Sequence, residues 1–192
     1  MKKILLLCCT LLLTFEMAAQ QNAPSGLESK KNELRVDVLQ ALAYGKIGLS
    51  YERFFEGSFS VGINANFSNS SKFEEDFNNG FRNNIPRYEF NPFVRYALSK
   101  SKARYYFAEI FGSANGGDYK EIIRESEGGV GYYTIKQSKY TDYALGGSLG
   151  YKMYIKNALA IDFLVGFGSN LTNKEKSPDV ISRVGLNLGY RF

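Results

Sequence analysis

The chain has 192 residues, of which 44% are hydrophobic, 15% aromatic and 22% charged, and its formal net charge is +5. That size and balance fit one globular or membrane domain and exclude a disordered chain, a collagen-like repeat and a multidomain enzyme. Histidine is absent, so mechanisms that need an imidazole base, a histidine–cysteine pair or a histidine metal ligand are ruled out.

At the N-terminus Lys2 and Lys3 precede an apolar stretch from Ile4 to Phe15, and Ala18 and Ala19 follow as small residues. The stretch is too short to span a bilayer and has the layout of a cleaved secretory signal, residues 1–19, with cleavage before Gln20. Cys8 and Cys9 lie inside it, so the exported chain is expected to carry no thiol, disulfide or cysteine metal site. Neither has the small preceding residue that lipidation requires. Removing 1–19 takes away two lysines and Glu16, leaving 22 bases against 18 acids, a net charge of +4. Acids and bases alternate along the chain without forming a basic face, which excludes a nucleic-acid partner.

Residues 20–31, QQNAPSGLESKK, are polar and turn-rich and predict a disordered periplasmic lead-in. From there to Phe192 the apolar period is two, the mark of strands. The first segment, Asn32–Ala43, sets Leu34, Val36, Val38 and Leu42 against Glu33, Arg35 and Asp37. Lys46–Phe55 and Ser58–Phe67 repeat the pattern, the latter most cleanly, with Phe59, Val61, Ile63, Ala65 and Phe67 opposed by Ser60, Gly62, Asn64 and Asn66. Arg87–Leu98, Ala103–Ala114, Asp142–Met153, Ala158–Gly168 and Val180–Phe192 complete eight segments. The fifth is the least regular, because Phe107 and Phe111 fall on its polar side.

The connections at 56–58, 99–102 and Lys156-Asn157 are tight, whereas 68–86, 115–141 and 169–179 are long and polar, and the charge mixed with Phe, Tyr and Ile in 68–86 and 115–141 fits either a surface-binding patch or strands extended beyond the membrane. Short turns at one rim and long loops at the other, with both ends of the chain at the short-turn rim, predict an all-β fold. It is an eight-stranded antiparallel up-and-down transmembrane β-barrel over residues 32–192. Segment lengths match the roughly 9–11 residues that a tilted strand needs to cross hydrocarbon.

Alternation alone also fits a soluble barrel with its apolar side chains inward. Two features favour the outward orientation. Charges and small residues share the polar face, as a narrow interior demands. Outward aromatics also fall at two levels, Phe55, Phe59, Tyr96, Tyr106, Tyr151, Tyr190 and Phe192 near one rim and Tyr44, Phe67, Tyr88, Tyr143 and Phe167 near the other.

The ending LNLGYRF, with Leu186, Leu188, Tyr190 and Phe192 at alternate positions, resembles the C-terminal assembly signal of bacterial outer-membrane barrels. That resemblance implies reading of the last strand by the barrel-insertion machinery. The stretches KNELRVDVLQALAYGKIGLSYERFF, NPFVRYAL, YYFAEIFGSANGG and TDYALGGSLGYKMYI resemble an uncharacterised family of Bacteroidota outer-membrane β-barrel proteins, which has no assigned reaction. The small barrels of the OmpA-membrane-domain and OmpX type are more distantly similar, and no peptidoglycan-binding domain is expected after Phe192.

An eight-stranded barrel is just wide enough for its own side chains to fill, so inward charges must find partners or pay a penalty of several kcal/mol. Arg35, Asp37, Glu52, Glu89, Arg95, Glu109, Asp142, Asp162 and Arg183 are the expected members of such a lumen network. Two sharper readings are an acid–base pair of Asp37 with Glu52 and a Ser148–Lys152 nucleophile pair. Outer-membrane enzymes with similar small barrels rely on histidine with serine or a carboxylate, and no such set can be assembled here, so no catalytic residue, cofactor or metal site is assigned. The expected role is therefore structural or surface recognition, in a cell outer membrane, with outer-membrane lipid and lipopolysaccharide as surroundings. Two alternatives are an exported soluble barrel holding a small apolar ligand and a narrow solute pore. The surface partner stays open, although Glu121, Glu125 and Glu127 of the 115–141 loop offer divalent cations a place to bridge lipopolysaccharide.

Overall fold

The computed structural model describes residues 26–99 and 101–192. The expected signal segment lies outside these residues. Eight strands, β1 (Asn32–Asp37), β2 (Lys46–Phe54), β3 (Phe59–Ser68), β4 (Asn84–Ala97), β5 (Arg104–Glu127), β6 (Val130–Ile155), β7 (Leu159–Asn170) and β8 (Val180–Arg191), pair in sequence order and close into a barrel. Every pair is antiparallel, and closure runs through β1 and β8, with Leu34 opposite Tyr190 and Val36 opposite Leu188.

The side-chain partition is inside-out. On β3 the odd residues Phe59, Val61, Ile63 and Phe67 are exposed while Ser60, Asn64 and Asn66 are buried. Val61, Ile63 and Leu188 keep 39%, 46% and 39% of their surface exposed, so they do not meet in a dry centre. The outward rings form two levels through cross-strand pairs. Near the short turns Phe59 faces Tyr96 at 4.8 Å and Tyr106 faces Tyr151 at 4.9 Å, and near the far rim Phe67 meets Phe90 at 5.6 Å.

One sequence expectation is corrected and one open choice is decided. Residues after Asp37 do not continue the first strand; they form helix α1 (Val38–Tyr44). The Asp37 carboxylate accepts from the Gln40 amide at 2.9 Å, and Gly45 closes the helix in the left-handed region at φ 62°, an N-cap and a glycine stop that override a two-residue alternation. Of the two readings of 115–141, a long loop and strands extended past the barrel, the structure has the second. β5 and β6 pair without a break from Arg104 opposite Met153 to Glu127 opposite Val130 and turn on Gly128 and Gly129, both at positive φ. β4 leaves β5 at Asn84 opposite Tyr119, and β7 leaves β6 at Asn170 opposite Ala144. The hairpin therefore rises past its neighbours as a two-stranded ribbon.

A second helix, α2 (Ser71–Asn78), lies in the β3–β4 connection and is capped by Ser70. The tight turn at Lys156 and Asn157 has both residues at positive φ, the geometry of a two-residue hairpin turn. Within the lead-in expected to lack order, Leu27–Ser29 forms a 3-10 turn and Leu27 is buried. Its side chain packs under the short-turn rim with Tyr105, Phe107, Tyr154, Ala160 and Leu164.

Candidate functional site

Because inward residues alternate along every strand, the register decides which charges share a level. Arg95 of β4 lies opposite Ser60 of β3 and Glu109 of β5, Lys152 of β6 lies opposite Asp162 of β7, and Glu33 of β1 lies opposite Glu52 of β2. Four acids, Glu33, Glu52, Glu109 and Asp162, and four bases, Arg35, Arg95, Lys152 and Arg183, join into one continuous ion-pair cluster. Seven of the eight strands supply these residues, and Ser60 of β3, donating to Glu52 at 2.5 Å, brings in the eighth.

The bonds cross the bore as well as following its wall. Arg95 Nε donates to Glu109 at 2.5 Å, and its Nη1 donates to Asp162 at 2.6 Å and to Glu52 at 3.1 Å. Lys152 Nζ reaches Glu33 at 2.8 Å and Glu52 at 2.7 Å. Arg35 Nη1 bonds Glu33 at 2.7 Å and also Glu52, and Arg183 Nη1 donates to Glu109 at 2.5 Å. All eight side chains are almost fully buried. Equal numbers of each sign and several partners per carboxylate are what make burial of this many charges tolerable.

Inward aromatics, the anomaly of the fifth segment, belong to the same construction. Arg95 lies over the Phe107 ring at 4.2 Å and over Phe93 at 4.7 Å, and Arg183 lies over Phe111 at 4.4 Å, so the rings stack on guanidinium faces. Gly62, Gly150 and Gly146 make room for Phe93, Phe107 and Phe111, whose rings occupy the space a Cβ would take.

Six of the nine expected residues, Arg35, Glu52, Arg95, Glu109, Asp162 and Arg183, therefore meet in the cluster, and three stand elsewhere. Asp37 caps α1, Glu89 pairs with Lys46 at 3.1 Å nearer the far rim, and Asp142 holds the β7–β8 connection. The Asp142 carboxylate accepts from the Thr172 amide at 2.8 Å, the Thr172 hydroxyl at 2.6 Å, the Asn173 amide at 2.9 Å and the Ser177 hydroxyl. Glu33 and Lys152 are cluster members that the sequence reasoning did not include, although both occupy the inward parity. Also unforeseen is an asparagine tier on the far side of the cluster. Asn64 Oδ1 accepts from Asn66 at 2.8 Å and from Asn91 at 3.1 Å, and Asn115 donates to Asn170 at 2.9 Å.

Neither proposed pair is assembled. Asp37 and Glu52 serve different partners, and the Ser148 hydroxyl donates to Glu109 at 3.1 Å while the Lys152 ammonium is taken by carboxylates. The acidic residues of the hairpin are set apart as well, Glu121 opposite Lys136 and Glu125 accepting from the Tyr132 hydroxyl at 3.1 Å.

No protein-family model matches the chain, and no curated protein sequence does. Among solved structures it is similar to the N-terminal β-barrel domain of Pseudomonas aeruginosa OprF. The TM-score is 0.54 at 10% identity, over 85% of this chain and 98% of that one. Similarity extends to Neisserial surface protein A, with TM-score 0.49 and 11% identity over 84% of this chain and 93% of that one. Ail, the attachment invasion locus protein of Yersinia pestis, gives TM-score 0.47 and 11% identity over 85% and 99%. At this identity the OprF likeness supports the barrel fold and nothing finer.

Proposed function

We propose that the chain is an integral outer-membrane barrel without catalytic machinery, its bore closed by the ion-pair cluster and its β5–β6 ribbon presented at the cell surface. The observation that carries this reading is the reversed partition of the wall. Each strand turns large apolar side chains outward, among them Leu34, Leu49, Ile63, Val94, Ile110, Leu149, Val165 and Val184, all exposed. Leaving such a side chain in water forfeits roughly 1.5–3 kcal/mol relative to burial, a cost repeated around the circumference that a hydrocarbon surround removes. The two levels of rings fit the two interfaces of that surround.

Further parts of the reading rest on the sequence. The resemblance to Bacteroidota barrels is what supports placing the chain among them, the Leu186, Leu188, Tyr190, Phe192 face of the last strand is what the insertion machinery takes up, and residues 1–19 direct export. Lipopolysaccharide and phospholipid are the surroundings, and the ribbon is where a surface partner meets the protein.

Purification with and without detergent tests the membrane claim, and planar-bilayer recording tests the closed bore. The expected result is folded protein only in detergent or lipid, with no conductance steps. Monodisperse folded protein in plain buffer would instead favour a soluble ligand carrier, and steady unitary conductance would favour a pore.

A further inference from the structure

On the short-turn side of the ion-pair cluster the bore opens to solvent through a pocket of about 190 Å³. Leu27, Phe54, Tyr105 and Phe107 supply its apolar walls, and Glu52, Ser60 and Arg95 close its buried end. A cavity of about 150 Å³ takes up one benzene, so the pocket has room for a single ring with a short substituent.

The charges around it do not cancel. At the buried end Glu52 is taken by Arg35, Arg95 and Lys152, and Arg95 is shared among three carboxylates, so both are spent on the cluster. At the mouth Lys31 stands 4.0 Å from Glu56 with both side chains exposed, a pair that water screens. Arg191, the last inward residue of β8, differs from all of these. It lines the pocket and keeps 7% of its surface exposed, yet no ion pair among the described residues includes it.

Its partners are neutral. Nε donates to the Lys30 carbonyl at 2.8 Å, Nη1 donates to the Tyr154 hydroxyl at 3.0 Å, and the guanidinium carbon lies 3.6 Å over the Phe54 ring. These contacts fix the group in place and leave Nη2 without an acceptor among the described residues. Beyond the described residues the sequence holds one acid, Glu16, inside the expected signal segment. The exported chain therefore has no further side-chain carboxylate to offer, and a buried cation met by neutral groups alone is short of its counter-charge.

We infer that the pocket is a binding site for a small aromatic carboxylate, its anionic end on Arg191 Nη2 and its ring among Phe54, Tyr105 and Phe107. A charge-assisted bond in an apolar surround is the strongest contact this wall can make, and the rings beside it favour a flat apolar body. A purely apolar ligand would leave Arg191 uncompensated, and a small hydrated anion would leave the walls unfilled. The periplasmic address of the site rests on the membrane orientation proposed above. Its chemistry does not, and binding is measured in whichever medium keeps the protein folded, so failure of one reading is separable from failure of the other.

Isothermal titration of phenylacetate into the folded protein tests the site, with phenylacetamide and acetate as probes that lack the charge and the ring. Phenylacetate should bind saturably at one site per chain, and loss of either half of the probe should weaken binding by about tenfold or more, the measure of one charge-assisted hydrogen bond or one buried ring. Arg191→Met, which keeps apolar contact with Phe54, should reduce phenylacetate to the affinity of phenylacetamide. Ala97→Leu, which takes up space at the pocket wall, should abolish binding with Arg191 intact, and circular dichroism should be unchanged in both variants. Lys31→Gln combined with Lys102→Gln at the mouth should cost less than Arg191→Met. Absence of saturable binding, equal affinities for phenylacetate and phenylacetamide, or a larger loss from the lysine pair than from Arg191→Met would overturn the assignment. Should Arg191→Met fail to fold, the probe comparison and Ala97→Leu decide it.

Discussion

The Arg95 guanidinium lies 4.2 Å over the centre of the Phe107 ring, an ionic and an aromatic side chain sharing the axis of a barrel whose apolar residues face outward. The ring covers one guanidinium face while the edge donates to Glu52, Glu109 and Asp162. Arg95→Ala strips a buried cation from three carboxylates and should destabilise the barrel by about 3–5 kcal/mol, the usual cost of breaking a buried ionic network from one side. Arg95→Met keeps apolar contact with the ring but leaves the carboxylates short of a cation, so its loss should approach that of alanine. Urea unfolding in detergent measures both. A methionine variant as stable as the parent would show that packing, and not ion pairing, is what Arg95 contributes.

Close approach of rings to strands makes some glycines obligatory and leaves others free. A Cβ at Gly150 would collide with the Phe107 ring and with the Phe163 carbonyl, whereas at Gly112 the nearest atoms stand at 3.9 Å. Gly150→Ala should cost roughly 1–3 kcal/mol or more through overpacking, while Gly112→Ala should be neutral or stabilising by up to about 1 kcal/mol, as for an unconstrained strand glycine. Parallel urea titrations of the two variants decide the matter, and equal losses would contradict the ring-in-glycine packing.

Asp142 ties the β7–β8 connection to the barrel through bonds from Thr172, Asn173 and Ser177. Asp142→Ala should free that connection, making Lys174 and Lys176 trypsin-sensitive, while the barrel's unfolding midpoint changes little, since the ion-pair cluster does not include Asp142. Limited proteolysis followed by mass spectrometry reads the outcome. Undiminished protection would mean that the connection is held by its own turns.

How much could be read from the chain depended on whether each residue's role was local. β3 was legible because each outward position is apolar and each inward one small or polar, so register and environment agree. The helix after Asp37 was missed because the alternation of Glu33–Asp37 was carried on through Val38 and Leu42, although Asp37 before it and Gly45 after it are cap and stop signals. The β5–β6 ribbon was left between a polar loop and extended strands, yet Gly128-Gly129 is a two-residue hairpin-turn signature. For the site, parity sorted inward from outward charges but not depth. Glu33 and Lys152 meet across the bore from positions 119 residues apart, a proximity that only closure and shear create. The same missing coordinate placed Asp37, Glu89 and Asp142 in a network whose level they do not share.

The central claim, apolar residues to lipid and polar residues to the axis, is tested most directly by a single-cysteine spin-label scan from Phe59 to Ser68 in lipid vesicles. Relaxation by dissolved oxygen, which concentrates in hydrocarbon, should rise at positions 59, 61, 63, 65 and 67 and fall at the positions between them. A scan with the opposite phase, or one in which a water-soluble relaxant reaches Ile63 as readily as oxygen does, would contradict the account.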